Sequence, residues 1–297
     1  MSDTLQFELD VELPNAGIAE RTERLIGFEP RFARMARDLH MLLSPEEIRR
    51  WSKTHHKRDL PVCAILADRY PMTIFHGDVG TGKTATAEGI ADRIARDIEC
   101  NARLMKLSTR VRGRGLHGEM SKLIGEAFDA VRTAAGNKGR AFLVIDEADA
   151  LATSREGAQL HQEERAGTNT LIQKIDEIRS LRGRVLVILC TNRLHALDPA
   201  IVRRAARMEE FGRPTDDERR ELLSRDLEGV NLKEHDMERL VKVTGPDPGK
   251  GRLGMTFSDL RTRFLPTAIA EVFPDKPLTF DVLLHVAGAT SPSPPIG

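Results

Sequence analysis

A phosphate-binding sequence is the part of this chain whose residue types and spacing most clearly indicate chemistry. Eight consecutive residues spell the motif GxxxxGK[ST]: Gly77, Asp78, Val79, Gly80, Thr81, Gly82, Lys83 and Thr84. The glycines let successive backbone N–H groups surround a phosphate, the Lys83 ammonium can reach the β- and γ-phosphates, and the Thr84 hydroxyl can bind Mg²⁺. The sequence therefore predicts a site for a nucleoside triphosphate with magnesium.

An acidic pair downstream supplies the groups that hydrolysis would need. Asp146 and Glu147 directly follow the apolar run 141–145, which is typical of a central parallel strand. We expect Asp146 to hold Mg²⁺, commonly through water, and Glu147 to polarise the water that attacks the γ-phosphorus. A second apolar run, 185–190, leads to Asn192, which is either a polar group beside the acidic pair or an ordinary turn residue.

Length and charge restrict the classes of protein that fit. The chain has 297 residues, which suits roughly two domains. Lys+Arg and Asp+Glu both total 45, and this balance argues against a mainly electrostatic nucleic-acid binder. No apolar run is long enough to span a bilayer, and the first twenty residues do not resemble a signal peptide. Three scattered cysteines without metal-ligand spacing indicate reduced thiols in a cytoplasmic protein.

The elements that must position these residues follow from the hydrophobic pattern. Apolar strands alternate with amphipathic helices up to Gly212, which predicts a parallel sheet. Residues 5–13 alternate as a half-buried strand that must pair within its own sheet, with a neighbouring subunit or with a partner. After Gly212 the pattern is helical, with a capping box at Thr215. The predicted organisation is an arm at 1–23, a large α/β domain at 24–212, a helical lid at 213–287 and a disordered tail at 288–297.

These features together resemble the AAA+ ATPases, over about residues 24–287. Within that superfamily the chain is similar to the pachytene-checkpoint group, the remodellers of HORMA-domain proteins, and to its compact bacterial branch found with antiphage nucleotidyltransferase systems. The local matches are the segments 171–178, 198–205 and 212–214. The resemblance implies a phosphate-loop α/β fold with a five-stranded parallel sheet and a small C-terminal all-helical lid. It also implies ATP and Mg²⁺ bound between sheet and lid, and a homohexameric ring.

The function implied by the resemblance is protein remodelling. ATP hydrolysis would pull on and partly unfold a HORMA-domain protein, disassemble its complex with a nucleotidyltransferase and so restrain antiphage second-messenger signalling. The alternative is a nucleic-acid motor or loader, since residues 146–149 read Asp-Glu-Ala-Asp, a helicase signature. The helical C-terminal region argues against a two-lobed helicase. A nucleotide-binding module without turnover is a third reading, which the presence of Glu147 disfavours.

The resemblance also assigns roles to basic residues by position. Arg204 corresponds to the arginine finger that stabilises charge in the neighbouring subunit's site, with Arg203 and Arg207 as alternatives. Ser258 stands where the family places a lid arginine on the γ-phosphate. Arg261, about one helical turn later, is the candidate substitute.

Contacts to the base and to a substrate polypeptide are assigned in the same way. Ile26 lies in a segment that could wrap the nucleotide base. Leu116 and His117 belong to segment 110–118, which corresponds to the loop that grips substrate in the central pore, although the aromatic residue usual in the family is missing. A plain basic loop is the alternative for that segment, and 161–165 is a second, acidic pore candidate.

Overall fold

Two compact units make up the chain in the computed structural model, which describes residues 7–108, 119–150 and 162–295. The first unit comprises residues 1–76 and 84–210, and the second comprises 77–83 and 211–297. By its contacts, most of the phosphate loop therefore belongs with the C-terminal helices rather than with the strand that precedes it.

The strands of the described residues form one six-stranded sheet. They are β1 Leu9–Leu13, β2 Met72–Gly77, β3 Ala102–Ser108, β4 Arg140–Asp146, β5 Val185–Thr191 and β6 Arg207–Phe211. Their spatial order is β1-β3-β4-β5-β2-β6, and the neighbours β3–β4, β4–β5 and β5–β2 are parallel. Parallel neighbours require crossover connections, which here are helical. This confirms the predicted α/β class.

Helices cover the first unit and form most of the second. The first unit contains α1 Ala16–Glu23, α2 Phe28–Leu43, α3 Pro45–His56, α4 Pro61–Ala67, α5 from Lys83 to Asp97, α6 Glu119–Ala135, α7 Gln162–Arg179 and α8 Pro199–Val202. The second contains α9 Asp216–Asp226, α10 Glu234–Thr244, α11 Leu265–Val272 and α12 Phe280–Ala289. Short 3₁₀ turns lie at Ala148–Ala150, Leu194–Ala196 and Pro248–Lys250, and a π-helical turn at Asp259–Phe264 precedes α11. No helix in the described ranges is long and apolar enough to cross a membrane.

The core of the first unit lies between β4, β5 and the helices α6 and α7. Every residue of β5 is buried, as expected for a strand covered on both faces. Ile124 and Phe128 of α6 and Leu171 and Ile175 of α7 are buried in the same cluster. Their spacing of four residues puts each pair on one helical face. The rigid centre of the sheet thus carries the two strands that end in Asp146 and Thr191.

The N-terminal strand pairs within its own chain. β1 runs antiparallel to β3, with Leu9 opposite Lys106 and Leu13 opposite Ala102. The Asp10 carboxylate accepts hydrogen bonds from Arg103 Nε at 2.6 Å and Nη2 at 2.9 Å across the pair. Of the three predicted partners, its own sheet is therefore the one observed. The sheet has six strands rather than the five implied by the resemblance, because β1 adds an antiparallel edge.

The second unit is stabilised by reciprocal caps. Thr215 Oγ1 accepts from the Glu218 N–H at 3.2 Å while Glu218 accepts from the Thr215 N–H at 2.8 Å, so the predicted capping box is present.

The C-terminal segment differs from the predicted disordered tail: α12 reaches Ala289, and Ser293 is hydrogen-bonded to the unit. Its Ser and Pro composition suggested disorder, but specific hydrogen bonds fix it.

Candidate active site

The phosphate loop has backbone angles that only glycine adopts readily. Gly77, Gly80 and Gly82 have φ values of +134°, +72° and +89°. A Cβ at Gly77 would overlap the carbonyl oxygen of Phe211, whereas a Cβ at Gly82 would meet nothing within 4 Å. The loop is therefore tightly packed where it leaves β2 and open at its end, where α5 begins. An open, glycine-lined turn at a helix N-terminus is suited to an anion.

Lys83 lies inside this loop. Its side chain is buried, and Nζ donates to the carbonyl oxygens of Gly77 at 3.0 Å and Asp78 at 2.7 Å. Thr81 Oγ1 donates to the same Asp78 oxygen at 2.8 Å. The loop backbone thus wraps around the ammonium and holds a positive charge at its centre. This arrangement fits a triphosphate, whose oxygens would receive that charge and the first N–H groups of α5.

The acidic pair sits on a strained turn. Glu147 has φ +50°, in the left-handed region that a non-glycine residue rarely adopts. Its N–H donates to Asp146 Oδ1 at 3.0 Å, and both side chains are partly exposed at the end of β4. The turn thus places two neighbouring carboxylates at the end of a buried strand. They are suited to hold a hydrated cation and to polarise a water.

A hydrogen bond ties the acidic turn to the neighbouring strand end. Thr191 Oγ1 donates to Asp149 Oδ1 at 2.7 Å and accepts the Arg193 N–H at 3.0 Å. Asn192 lies between these two residues and is half-buried. β4 and β5 are neighbours in the sheet, so the strand ends that carry the acidic pair and Asn192 lie side by side. Thr84, in the first turn of α5, is also half-buried.

The three candidate finger arginines differ in their contacts. Arg204 makes a bidentate pair with Asp176, donates from Nη1 to Ala200 O at 2.9 Å and lies over the Tyr70 ring. The hydrogen bond to Asp176 raises the pKa of Arg204 further above its ordinary value. Arg207 pairs with Asp38 at 2.6 Å and Glu209 at 3.1 Å. Arg203 is exposed and has no ion pair within the described ranges.

The predicted lid residues lie in the second unit. Arg261 makes a bidentate pair with Asp226, at 2.6 Å and 3.0 Å. The Ser258 N–H donates to Gly80 O at 3.0 Å, so the turn that carries Ser258 contacts the phosphate loop directly. Ser258 thus has an observed contact with the loop, and Arg261 has an observed pair with Asp226.

The remaining predicted contacts are only partly described. Ile26 is buried in the turn before α2, and a Cβ on Gly89 of α5 would lie 3.0 Å from Phe28 Cε2. The segment with Ile26 thus adjoins a residue that packs on the helix following the phosphate loop. Leu116 and His117 lie outside the described residues, and residues 162–165 begin α7.

Sequence reasoning missed one residue with a direct contact to the loop. Arg213 Nε donates to Asp78 Oδ2 at 2.6 Å, across 135 positions of sequence. The sequence contains Arg213 in Gly-Arg-Pro at the end of the core, but no local pattern predicts a partner so distant. The only feature of the sequence that set Arg213 apart was its position before Pro214, at the end of the core.

Comparison with known proteins decides the family. Residues 73–213 match the model of the ATPase family associated with various cellular activities (AAA). CD-NTase-associated protein 6 from Escherichia coli (strain KTE188) is 46% identical over 299 residues, covering 100% of this chain and 99% of the relative. The chain belongs to the AAA ATPase family.

Two solved structures agree with this assignment, and each covers nearly the whole length of this AAA ATPase. It is similar to a chain in the structure of the E. coli MS115-1 HORMA:CdnC:Trip13 complex, with 39% identity and a TM-score of 0.89 over 98% of this chain and 97% of that chain. It is also similar to Rhizobiales Trip13, with 32% identity and a TM-score of 0.74 over 98% and 100% of the two chains. The resemblance noted from the sequence is therefore confirmed.

Proposed function

We propose that this AAA ATPase hydrolyses ATP with Mg²⁺ to remodel a HORMA-domain protein. The observation that carries the chemical part is the Lys83 ammonium, held by two carbonyl oxygens inside a glycine loop at the start of α5. Thr84 and Asp146 would hold Mg²⁺, and the ion would neutralise charge on the phosphates. Glu147 would polarise the attacking water, and Asn192 would hydrogen-bond that water or the γ-phosphate.

The same proposal assigns a role in the neighbouring subunit's site to Arg204. An electrostatic catalyst is effective when its charge is oriented before the reaction. Asp176 and Ala200 hold the Arg204 guanidinium in one orientation, and a guanidinium with these three bonds keeps N–H groups for a phosphate. The exposed Arg203 has no such support from the described residues. These contacts favour Arg204 over Arg203, and Arg207, which carboxylates of its own subunit also hold, stays an alternative.

The partner is proposed from the relatives. A chain similar over nearly its whole length was solved together with HORMA and CdnC, and the full-length relative is named for its association with a CD-NTase. We infer that this chain acts on a HORMA-domain protein bound to a nucleotidyltransferase, and that its action restrains antiphage second-messenger synthesis. A homohexameric ring in the cytoplasm, with Leu116 and His117 in the pore, completes the proposal. The free thiols of Cys63, Cys100 and Cys190 are consistent with a reducing compartment.

Glu147→Gln tests both parts of the proposal. The amide cannot act as a base, so we expect ATP binding to remain while hydrolysis falls by about 10²- to 10⁴-fold. The stalled ring should retain a HORMA-domain protein added in the presence of ATP, measured by size-exclusion chromatography. Glu99→Gln is the matched control, because Glu99 also has a positive φ, +48°, but is exposed at the end of α5.

The outcomes separate the alternatives. Full hydrolysis by Glu147→Gln would refute the role of Glu147. Loss of hydrolysis without capture of the HORMA-domain protein would refute the proposal that this protein is the partner. Stimulation of the parent ATPase by DNA, falling steeply with salt, would instead support a nucleic-acid loader.

A further inference from the structure

The C-terminal segment is attached to the second unit through Ser293. The Ser293 N–H donates to Asp259 Oδ2 at 3.0 Å, and its hydroxyl donates to Asp259 Oδ1 at 2.6 Å. Its carbonyl oxygen accepts from Arg213 Nη2 at 2.7 Å. All three polar groups of one residue are therefore bonded to two charged side chains.

Arg213 connects this segment to the phosphate loop. Besides Ser293 O, its guanidinium donates to Asp78 Oδ2 from Nε at 2.6 Å and to Gly254 O from Nη1 at 2.6 Å. The Arg213 side chain is only 13% exposed, so water can replace few of these bonds. Each acceptor is bonded by a different nitrogen, which suits the broad planar guanidinium better than the compact ammonium of a lysine.

Asp78 links Arg213 to Lys83, the residue proposed to bind phosphate. Its carbonyl oxygen accepts hydrogen bonds from Lys83 Nζ at 2.7 Å and Thr81 Oγ1 at 2.8 Å. The Asp78 side chain is bound to Arg213, so the position of the guanidinium influences the position of the Lys83 ammonium. A continuous chain of hydrogen bonds thus runs from Ser293 through Arg213 and Asp78 to Lys83.

Asp259 provides a second connection to the loop. Its Oδ2 accepts from the Thr256 N–H at 3.0 Å, and its own N–H donates to Thr256 Oγ1 at 3.0 Å. The same turn reaches the loop where the Ser258 N–H donates to Gly80 O at 3.0 Å. Ser293 therefore bonds to two structures that contact the loop, the Arg213 side chain and the Thr256–Asp259 turn.

We propose that residues 291–295 form a strap that positions the phosphate loop through Arg213 and slows nucleotide release. This inference rests on the proposed binding of ATP by the loop. Removal of the strap leaves the Arg213 guanidinium without one of its three acceptors and frees the Asp259 turn. The loop then opens more often, and bound nucleotide dissociates faster.

The test compares two shortened chains. One ends after Thr290 and lacks the strap, and the matched control ends after Pro295 and keeps Ser293. The probe is a fluorescent ATP analogue with Mg²⁺, whose dissociation rate is measured by stopped flow with excess ATP. We expect dissociation about five- to tenfold faster for the chain that ends after Thr290 and unchanged for the control, since such changes act mainly on the dissociation rate.

Arg213→Ala distinguishes positioning from general stability. If the strap acts through Arg213, Arg213→Ala alone gives a similar increase in the dissociation rate. Shortening the Arg213→Ala chain then adds little, because the two changes remove one pathway. Multiplicative effects of the two changes, or equal rates for the two shortened chains, overturn the proposal.

Ser293→Ala keeps the question answerable if the shortened chain does not fold. This substitution removes the 2.6 Å hydroxyl contact with Asp259 that helps to hold the Ser293 carbonyl oxygen against Arg213, and we expect dissociation at least twofold faster. An unchanged rate overturns the strap. If the parent chain does not bind the analogue, the proposed ATPase function fails instead, which separates the two failures.

Discussion

Arg204 and Asp176 form a bidentate ion pair, with Arg204 Nε 2.7 Å from Oδ1 and Nη2 3.0 Å from Oδ2. The two residues are 28 positions apart, on the short turn after α8 and on α7. The pair is partly exposed, so its contribution to stability is on the order of 0–1 kcal/mol. The pair matters because it orients Arg204: a guanidinium that is already fixed loses little conformational entropy when it binds a phosphate.

Arg204→Ala should therefore lower kcat more than stability. We expect a loss of roughly a thousandfold in kcat with little change in ATP affinity. Steady-state ATPase assays and thermal unfolding measure the two effects. Arg203→Ala is the control, since Arg203 is exposed beside it. A large loss of kcat for Arg203→Ala, with normal kcat for Arg204→Ala, would mean that Arg203 is the arginine finger.

Asp176→Asn should act on hydrolysis through Arg204. It removes the charged partner while leaving a side chain of similar shape, so we expect kcat to fall by about tenfold through poorer orientation. In an Arg204→Ala background, Asp176→Asn should cause no further loss. A further tenfold loss in that background would mean that Asp176 acts independently of Arg204.

Glycine substitutions in the phosphate loop should have unequal effects. Gly80→Ala and Gly82→Ala both place a Cβ on a residue with positive φ, which costs about 1–2 kcal/mol. At Gly80 the new Cβ would also lie 2.6 Å from Ser258 Cβ and 2.9 Å from Thr256 Oγ1. We expect Gly80→Ala to destabilise the nucleotide-free protein by about 1–3 kcal/mol more than Gly82→Ala. Equal free energies of unfolding would contradict the observed packing.

The Asp259 carboxylate should contribute a pH-dependent stability. Burial alone would raise its pKa, but hydrogen bonds from Ser293 and Thr256 lower the pKa to about 2. Since the folded pKa is below the unfolded value of about 3.9, the contribution is present above pH ~4 and is lost as pH falls towards 2. Asp259→Asn should therefore cost about 2 kcal/mol at pH 7 and progressively less below pH 4, measured by denaturant unfolding.

The exposed Asp275→Asn is the control for that measurement. Its free energy of unfolding at pH 7 should match that of the parent chain. A cost for Asp259→Asn that stays constant from pH 7 to pH 3 would contradict the depressed pKa.

The sequence predicts the parts of this site that depend on local patterns. The phosphate loop is contiguous and Asp146–Glu147 follows an apolar run, so the residue order alone is enough to assign both. The order of the strands cannot be predicted in this way. The alternating residues 5–13 predict a strand, but any unpaired sheet edge could pair with it.

Long-range polar contacts could not be predicted in the same way. Arg213 meets Asp78, and Ser293 meets Asp259, through hydrogen bonds that leave no periodic signal in the sequence. The low apolar content of the tail indicated disorder because composition reports hydrophobic burial only. In the structure, three hydrogen bonds join Ser293 of that segment to the side chains of Asp259 and Arg213.

Titration calorimetry of ATP with Mg²⁺ into the Lys83→Ala variant tests the central claim most directly. We predict that this variant loses measurable binding, while Lys250→Ala, whose side chain is 82% exposed, binds like the parent chain. Undiminished ATP binding by a folded Lys83→Ala variant would contradict the account.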